Sequence, residues 1–165
     1  MVNNTTVGAQ LGAMRSFGDA DFVNVLDEYG QDRTEILGYA LSFREFLSPT
    51  ALGEVLQFLT FLVLLYERNG NGRLKPDEDL IRKENKRVTK MVKYVLAEPS
   101  ESLAKTCDLW IKGFEEKNIL AYAHHDILLK YNMSTEEGLQ VYIAIVSLVL
   151  MFSAKSKERS RRGNQ

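Results

Sequence analysis

The sequence predicts an all-α fold, a compact bundle of about seven helices, from three observations. The three prolines, Pro49, Pro76 and Pro99, each lie where a helix would begin or end, and no window alternates polar and apolar residues as a strand does. Two segments, 52–66 and 139–152, are apolar on every side, and such a helix is either buried or spans a membrane. Each is shorter than the roughly 20 residues needed to cross a bilayer, so both are expected in the core with no membrane span.

Capping residues and apolar spacing place the individual helices. Ser48 can cap a helix whose first position, Pro49, loses no hydrogen bond there. Asp32 with Glu35 has capping-box spacing, and Ser134 opens a second such box. The expected helices cover 19–29, 32–47, 48–66, 76–96, 100–114, 119–131 and 134–152.

The 165 residues suit one domain, expected at 19–154, with a segment of different character at each end. Residues 1–18 are polar and contain several glycines, and we interpret them as a flexible arm or a docking segment. Residues 155–165 form a basic C-terminal tail. The single cysteine, Cys107, excludes an internal disulfide, and no signal peptide is recognised. We therefore expect an intracellular location, which includes a virion interior.

Charge is arranged in blocks along the chain, although the net charge is only −1. The blocks carry −5 over 1–70, +4 over 71–97, −4 over 98–140 and +4 over 141–165. Alternating blocks of this kind can pair within one fold, pair between subunits, or leave basic surfaces free for phosphate.

The two basic blocks supply the candidate phosphate-binding residues. Each phosphate that a cation neutralises releases counterions, which adds affinity that depends on salt but not on sequence. Tyr94 alone adds an aromatic ring to the basic helix, so we expect binding to follow the backbone of single-stranded nucleic acid. The candidates are Arg82, Lys83, Lys86, Arg87, Lys90, Lys93, Lys155, Lys157, Arg159, Arg161 and Arg162.

The turn between the two central helices, residues 67–78, has the spacing of a calcium loop. Asn69 and Asn71 occupy the third and fifth positions, Gly72 the sixth, and Glu78 the last. In these positions the turn resembles an EF-hand. The resemblance implies a metal site, and the weak candidate ligands would be Glu67, Asn69, Asn71 and Glu78.

This turn also departs from the EF-hand pattern. Glu67 stands where the family has Asp, and Arg73 and Lys75 add positive charge to a site that needs negative charge. We therefore expect calcium binding no tighter than about millimolar, the weak end for such loops. The favoured interpretation is a solvated Gly-Asn-Gly turn, with no metal and no cofactor.

No constellation of residues predicts catalysis. Neighbouring residues on a helix point about 100° apart, so His124 and His125 are badly placed to share one metal. Cys107 lies on the apolar side of its predicted helix, where a buried thiol is expected. No phosphate loop, nucleophile elbow or dinucleotide fingerprint is present, so the chain is not expected to be an enzyme.

The favoured function is a non-enzymatic helical subunit for protein–protein interaction and self-assembly, with nucleic-acid backbone bound by the basic helix and tail. Small helical coat or nucleocapsid subunits have a similar build, with a compact core, polar arms and basic surfaces. One alternative is a calcium-responsive helix–loop–helix module. The other is an adaptor whose basic surface binds an acidic protein, and the simplest case is that the cations are only solvated.

Overall fold

The computed structural model describes residues 2–31, 35–97 and 113–162, without the side chain of Arg162. Within these ranges the chain forms seven α-helices and no strand, which confirms the predicted all-α class. The helices are α1 (Asn4–Met14), α2 (Asp19–Gln31), α3 (Glu35–Ser42), α4 (Pro49–Tyr66), α5 (Glu78–Ala97), α6 (Lys117–Asp126) and α7 (Glu136–Arg162). Shorter turns are 3₁₀ at Phe43–Glu45 and Leu128–Lys130, and π-helical at Glu67–Asn71.

Three predictions fall outside the described residues. They are the helix at 100–114, the position of Cys107 on it, and the helix start at Asp32.

Helix α4 is the centre of the bundle, and α1, α2, α3 and α7 all contact it. Ser48 caps α4 by accepting a hydrogen bond from the Ala51 N–H, as the sequence predicts. Every residue of 58–63 is buried. Thr60, the polar member of this run, donates its hydroxyl proton to the Leu56 carbonyl at 3.1 Å. The predicted burial of the helix at 52–66 is confirmed.

Helix α7 is the second core helix, and every residue from 141 to 153 is buried. This confirms the predicted burial of 139–152. The predicted end of the helix near residue 152 is wrong, however, because α7 continues to Arg162. The continuation consists largely of Lys, Glu, Arg and Ala, which favour helix, and the next glycine is Gly163.

Helix α5 packs along α7 and carries the candidate cations. Its apolar seam includes Val88, Val92 and Val95, each fully buried. On the side towards α3, the Tyr39 hydroxyl donates to Asn85 Oδ1 at 2.8 Å. These contacts fix the rotation of α5 about its axis and therefore decide which of its side chains face solvent.

The N-terminal residues form a helix that the sequence did not predict. Val2 is 1% exposed; its N–H donates to Glu116 at 3.0 Å, and its carbonyl accepts a bond from Asn118 at 3.0 Å. Helix α1 follows, capped by Asn3, and packs on α4 and α6. Val7, Leu11 and Met14 share one face of α1, but Ala9 and Ala13 lie on the other side, so the sequence shows little contrast between an apolar and a polar face.

Among the described residues, two stretches are long and apolar enough to cross a membrane by length and composition, Pro49–Asn71 and Glu136–Arg161. The share of the most apolar window that is buried in the fold is 56% for the first and 78% for the second. Core helices of soluble proteins meet the same two criteria, so the absence of a membrane span stays a prediction.

Candidate nucleic-acid interface

The six cations of α5 are all exposed, on the side of the helix opposite its apolar seam. At about 100° per residue, Lys83, Lys86, Lys90 and Lys93 fall within a sector about 80° wide. At about 1.5 Å of rise per residue they extend over about 15 Å of helix. These four residues are referred to below as the α5 lysine face.

The two arginines of α5 form ion pairs with glutamates of the same helix. Arg82 pairs with Glu78 at 2.6 Å. Arg87 pairs with the buried carboxylate of Glu84 at 3.4 Å, and its guanidinium lies 5.8 Å from the centroid of the Phe114 ring. Both arginines therefore already have anionic partners, one of them on a solvent-exposed site.

The α5 lysine face has no such partners in the part of the chain that the structure describes. Within the described residues, no ion pair joins any of its four lysines to a carboxylate. Four like charges at this spacing raise the local positive potential and concentrate counterions at the surface. Such a surface attracts polyanions, and the attraction weakens as salt is added.

The basic end of α7, defined here as Lys155, Lys157, Arg159 and Arg161, is used differently. Lys155 Nζ contacts Asp77 at 2.7 Å and Glu158 at 3.1 Å. Asp77 also accepts a bond from the Leu80 N–H at 3.1 Å and so caps α5. The hydrogen bond to Asp77 raises the pKa of Lys155, and the same bond lowers the pKa of Asp77.

Lys157 and Arg159 of this end also contact the protein. Lys157 pairs with Glu115, and that hydrogen bond lowers the pKa of the Glu115 carboxyl, with a further contribution from the charge of Arg161. The Arg159 guanidinium lies against the backbone of Gly72, where a Cβ would be only 2.9 Å from Nη1. Gly72 has φ of +60°, so both its conformation and this contact favour glycine.

The structure divides most of the predicted site residues into two sets, and Arg159 and Arg161 belong to neither because they are exposed on α7 and form no ion pair within the described residues. The α5 lysine face is exposed and unpaired within the described residues, whereas Arg82, Arg87, Lys155 and Lys157 form ion pairs. The side chain of the last candidate, Arg162, lies outside the described residues.

The EF-hand-like turn directs its candidate ligands towards other side chains. Three of the four are hydrogen-bonded within the protein: Glu67 to Arg73 (2.6 Å), Asn71 to Ser156 (2.8 Å) and Glu78 to Arg82 (2.6 Å). His125 Nδ1 lies 3.2 Å from Asp126 Oδ1 at an exposed position. Among the residues with described side chains, no group of three or more His, Cys, Asp or Glu is placed to hold a metal ion.

A cleft of about 440 Å³ lies between α1, α4 and α6, and the sequence did not predict it. Phe61 and Tyr122 line it with ring centroids 5.0 Å apart, and burial raises the pKa of Tyr122 to about 12. Glu54 also lines the cleft, and its carboxylate accepts hydrogen bonds from Lys130 Nζ and the Tyr131 hydroxyl, both at 2.8 Å. The lining comes from segments far apart in sequence, so no local motif could reveal it.

The chain matches no protein-family model, no curated protein and no solved structure. Its function is therefore inferred from its own residues, and the α5 lysine face is the feature with the clearest binding chemistry.

Proposed function

We propose that this chain is a non-enzymatic helical subunit that binds the phosphate backbone of nucleic acid through the α5 lysine face. The observation that carries the proposal is the grouping of four exposed lysines in one sector of α5, without carboxylate partners among the described residues. Each lysine can neutralise one phosphate by releasing counterions, so the affinity is expected to depend on salt and little on base sequence.

The absence of carboxylate partners for these lysines among the described residues lowers the expected cost of binding phosphate. A cation that already holds a carboxylate must give up that ion pair to bind phosphate, as Lys155 would have to release Asp77. A cation that faces only water and counterions exchanges them for phosphate, with a net gain in entropy. The α5 lysine face therefore has a lower cost of binding than the basic end of α7.

The test is fluorescence anisotropy with a labelled oligonucleotide in the full chain. We expect binding at about 50 mM salt and a steep loss of affinity by about 200 mM. The variant Lys86→Glu with Lys90→Glu should weaken binding at least about tenfold, because two contacts are lost and two like charges face the phosphates. Helix propensities of Lys and Glu are similar, so α5 should stay folded.

The matched control is Arg44→Glu with Lys117→Glu, which gives the same change in net charge at two exposed cations outside α5. An equal loss of binding in both variants would mean that only net charge matters, which contradicts a site on α5. No binding at about 50 mM salt with tens of micromolar protein would reject the proposal and favour the adaptor for an acidic protein. Self-assembly stays a prediction, which size-exclusion chromatography with light scattering tests.

A further inference from the structure

Tyr94 is the most exposed large apolar side chain among the described residues, with 66% of its surface accessible. It follows Lys93 directly and lies one helical turn beyond Lys90. Counted at about 100° per residue, its direction falls within about 20° of that of Lys83. The ring therefore lies at the C-terminal end of the α5 lysine face, beside Lys93 and one turn from Lys90.

The ring of Tyr94 has no described use inside the protein. Within the described residues it makes no ring–ring contact and no hydrogen bond, whereas the other tyrosines on α3 and α6 pack against phenylalanine rings. Leaving this much aromatic surface in water forgoes the free energy that burial would give. A planar ring next to lysines that have no ion pair among the described residues is the arrangement that single-strand binders use, in which cations hold phosphates and rings stack bases.

We infer that Tyr94 stacks on a base and makes the α5 lysine face selective for single-stranded nucleic acid over duplex. The inference rests on the proposed function and adds the substrate class to it. In a duplex the bases are stacked on one another and leave no open face for the tyrosine ring. In a single strand a base can turn out of the stack while its neighbouring phosphates stay on the lysines. The charge of the lysines favours a polyanion as the occupant, rather than an apolar peptide or a second copy of this basic surface.

Three labelled probes of equal length separate stacking from phosphate binding: oligothymidine, an abasic oligodeoxynucleotide with the same number of phosphates, and a duplex. Wild-type protein should bind oligothymidine most tightly. Tyr94→Ala should weaken binding to oligothymidine by about 5- to 150-fold, the value of one stacked base, and leave the abasic probe unchanged. Tyr94→Phe keeps the ring and should retain the affinity.

Phe46→Ala is the matched control, since Phe46 is an aromatic residue 46% exposed outside α5, and it should bind like wild type. If Tyr94→Ala binds oligothymidine like wild type, or weakens oligothymidine and abasic probe equally, the stacking role is rejected while the proposed function stands. If wild-type protein binds none of the three probes, the proposed function and the stacking role both fail.

Discussion

The α5 lysine face and the basic end of α7 carry the same number of cations, yet two of the α7 cations form ion pairs between elements and none of the α5 lysines does so within the described residues. Lys155 holds the cap of α5 through Asp77, and Lys157 holds Glu115. The four lysines of α5 face solvent and have no carboxylate within the described residues. Lys155 and Lys157 stabilise contacts between elements, whereas the α5 lysine face stays available to a polyanion.

This difference shows that a basic run in a sequence has no defined role until its carboxylates are located. Besides the local partner Glu158, Lys155 has Asp77, 78 positions away, and the partner of Lys157 is more than 40 positions away, in segments that only the tertiary fold brings near. Exposed pairs of this kind add little stability, about 0 to 1 kcal/mol each. They nevertheless remove their lysines from the set of free cations.

The largest effect is expected from a change in the core, on which both basic regions depend. Both basic regions depend on buried α7, and Ile145 is fully buried. Ile145→Asp should therefore lower the free energy of unfolding by several kcal/mol, because an unpaired charge would enter an apolar interior. Urea denaturation followed by circular dichroism measures this loss.

Asn24→Asp places the same carboxylate at an exposed helical position and serves as the control, with an expected change within about 0.5 kcal/mol. A well-folded Ile145→Asp protein with near wild-type stability would contradict the assignment of α7 to the core.

A smaller effect separates the two basic regions by stability alone. Lys155→Met should cost up to about 1 kcal/mol, because it removes the ion pair with Asp77 at a partly exposed site. Lys90→Met, the same substitution on the α5 lysine face, should change stability by less, since Lys90 forms no ion pair with any described residue. Chemical denaturation gives the free energy of unfolding of the two variants. A larger loss for Lys90→Met than for Lys155→Met would contradict a structural role confined to Lys155.

The smallest expected effect is a dependence of the Asp77–Lys155 contact on pH. The hydrogen bond from Lys155, helped by the Leu80 N–H, lowers the pKa of Asp77 in the folded protein. A lowered carboxyl pKa contributes stability above the unfolded pKa and loses it as the pH falls through the folded value. The stability difference between wild type and Asp77→Asn should therefore shrink as the pH drops below about 4. A difference that is unchanged at low pH would contradict an ionised Asp77 as its source.

Much of the fold could be predicted from local sequence, because its signals are local. The cap at Ser48 and the all-apolar runs identified α4 and α7, and charge opposite an apolar seam identified α5. Helix α1 escaped prediction because its stability comes from docking on α4 and α6 rather than from its own pattern. The end of α7 was misplaced because a basic run was interpreted as a tail, although its residues favour helix.

The candidate site could be predicted only in part. Sequence spacing identifies which α5 cations lie away from the apolar seam, since helical periodicity decides this. Sequence spacing does not reveal that the Arg87 guanidinium lies over the Phe114 ring while Lys86 has no described partner. That difference depends on where the fold places residues 113–116. Sequence spacing also could not find the cleft between α1, α4 and α6.

The most direct test of the central claim is the salt dependence of oligonucleotide binding in two charge-matched variants. One is Lys86→Gln with Lys90→Gln on the α5 lysine face, and the other is Lys155→Gln with Lys157→Gln, the two cations of α7 that form ion pairs. For a single strand, each lost phosphate contact should lower the slope of log Kobs against log salt by about 0.7, so the α5 variant should lose about 1.4. The α7 variant should keep the wild-type slope. Equal losses in the two variants, or a loss confined to the α7 variant, would contradict the division between a binding face and a structural end.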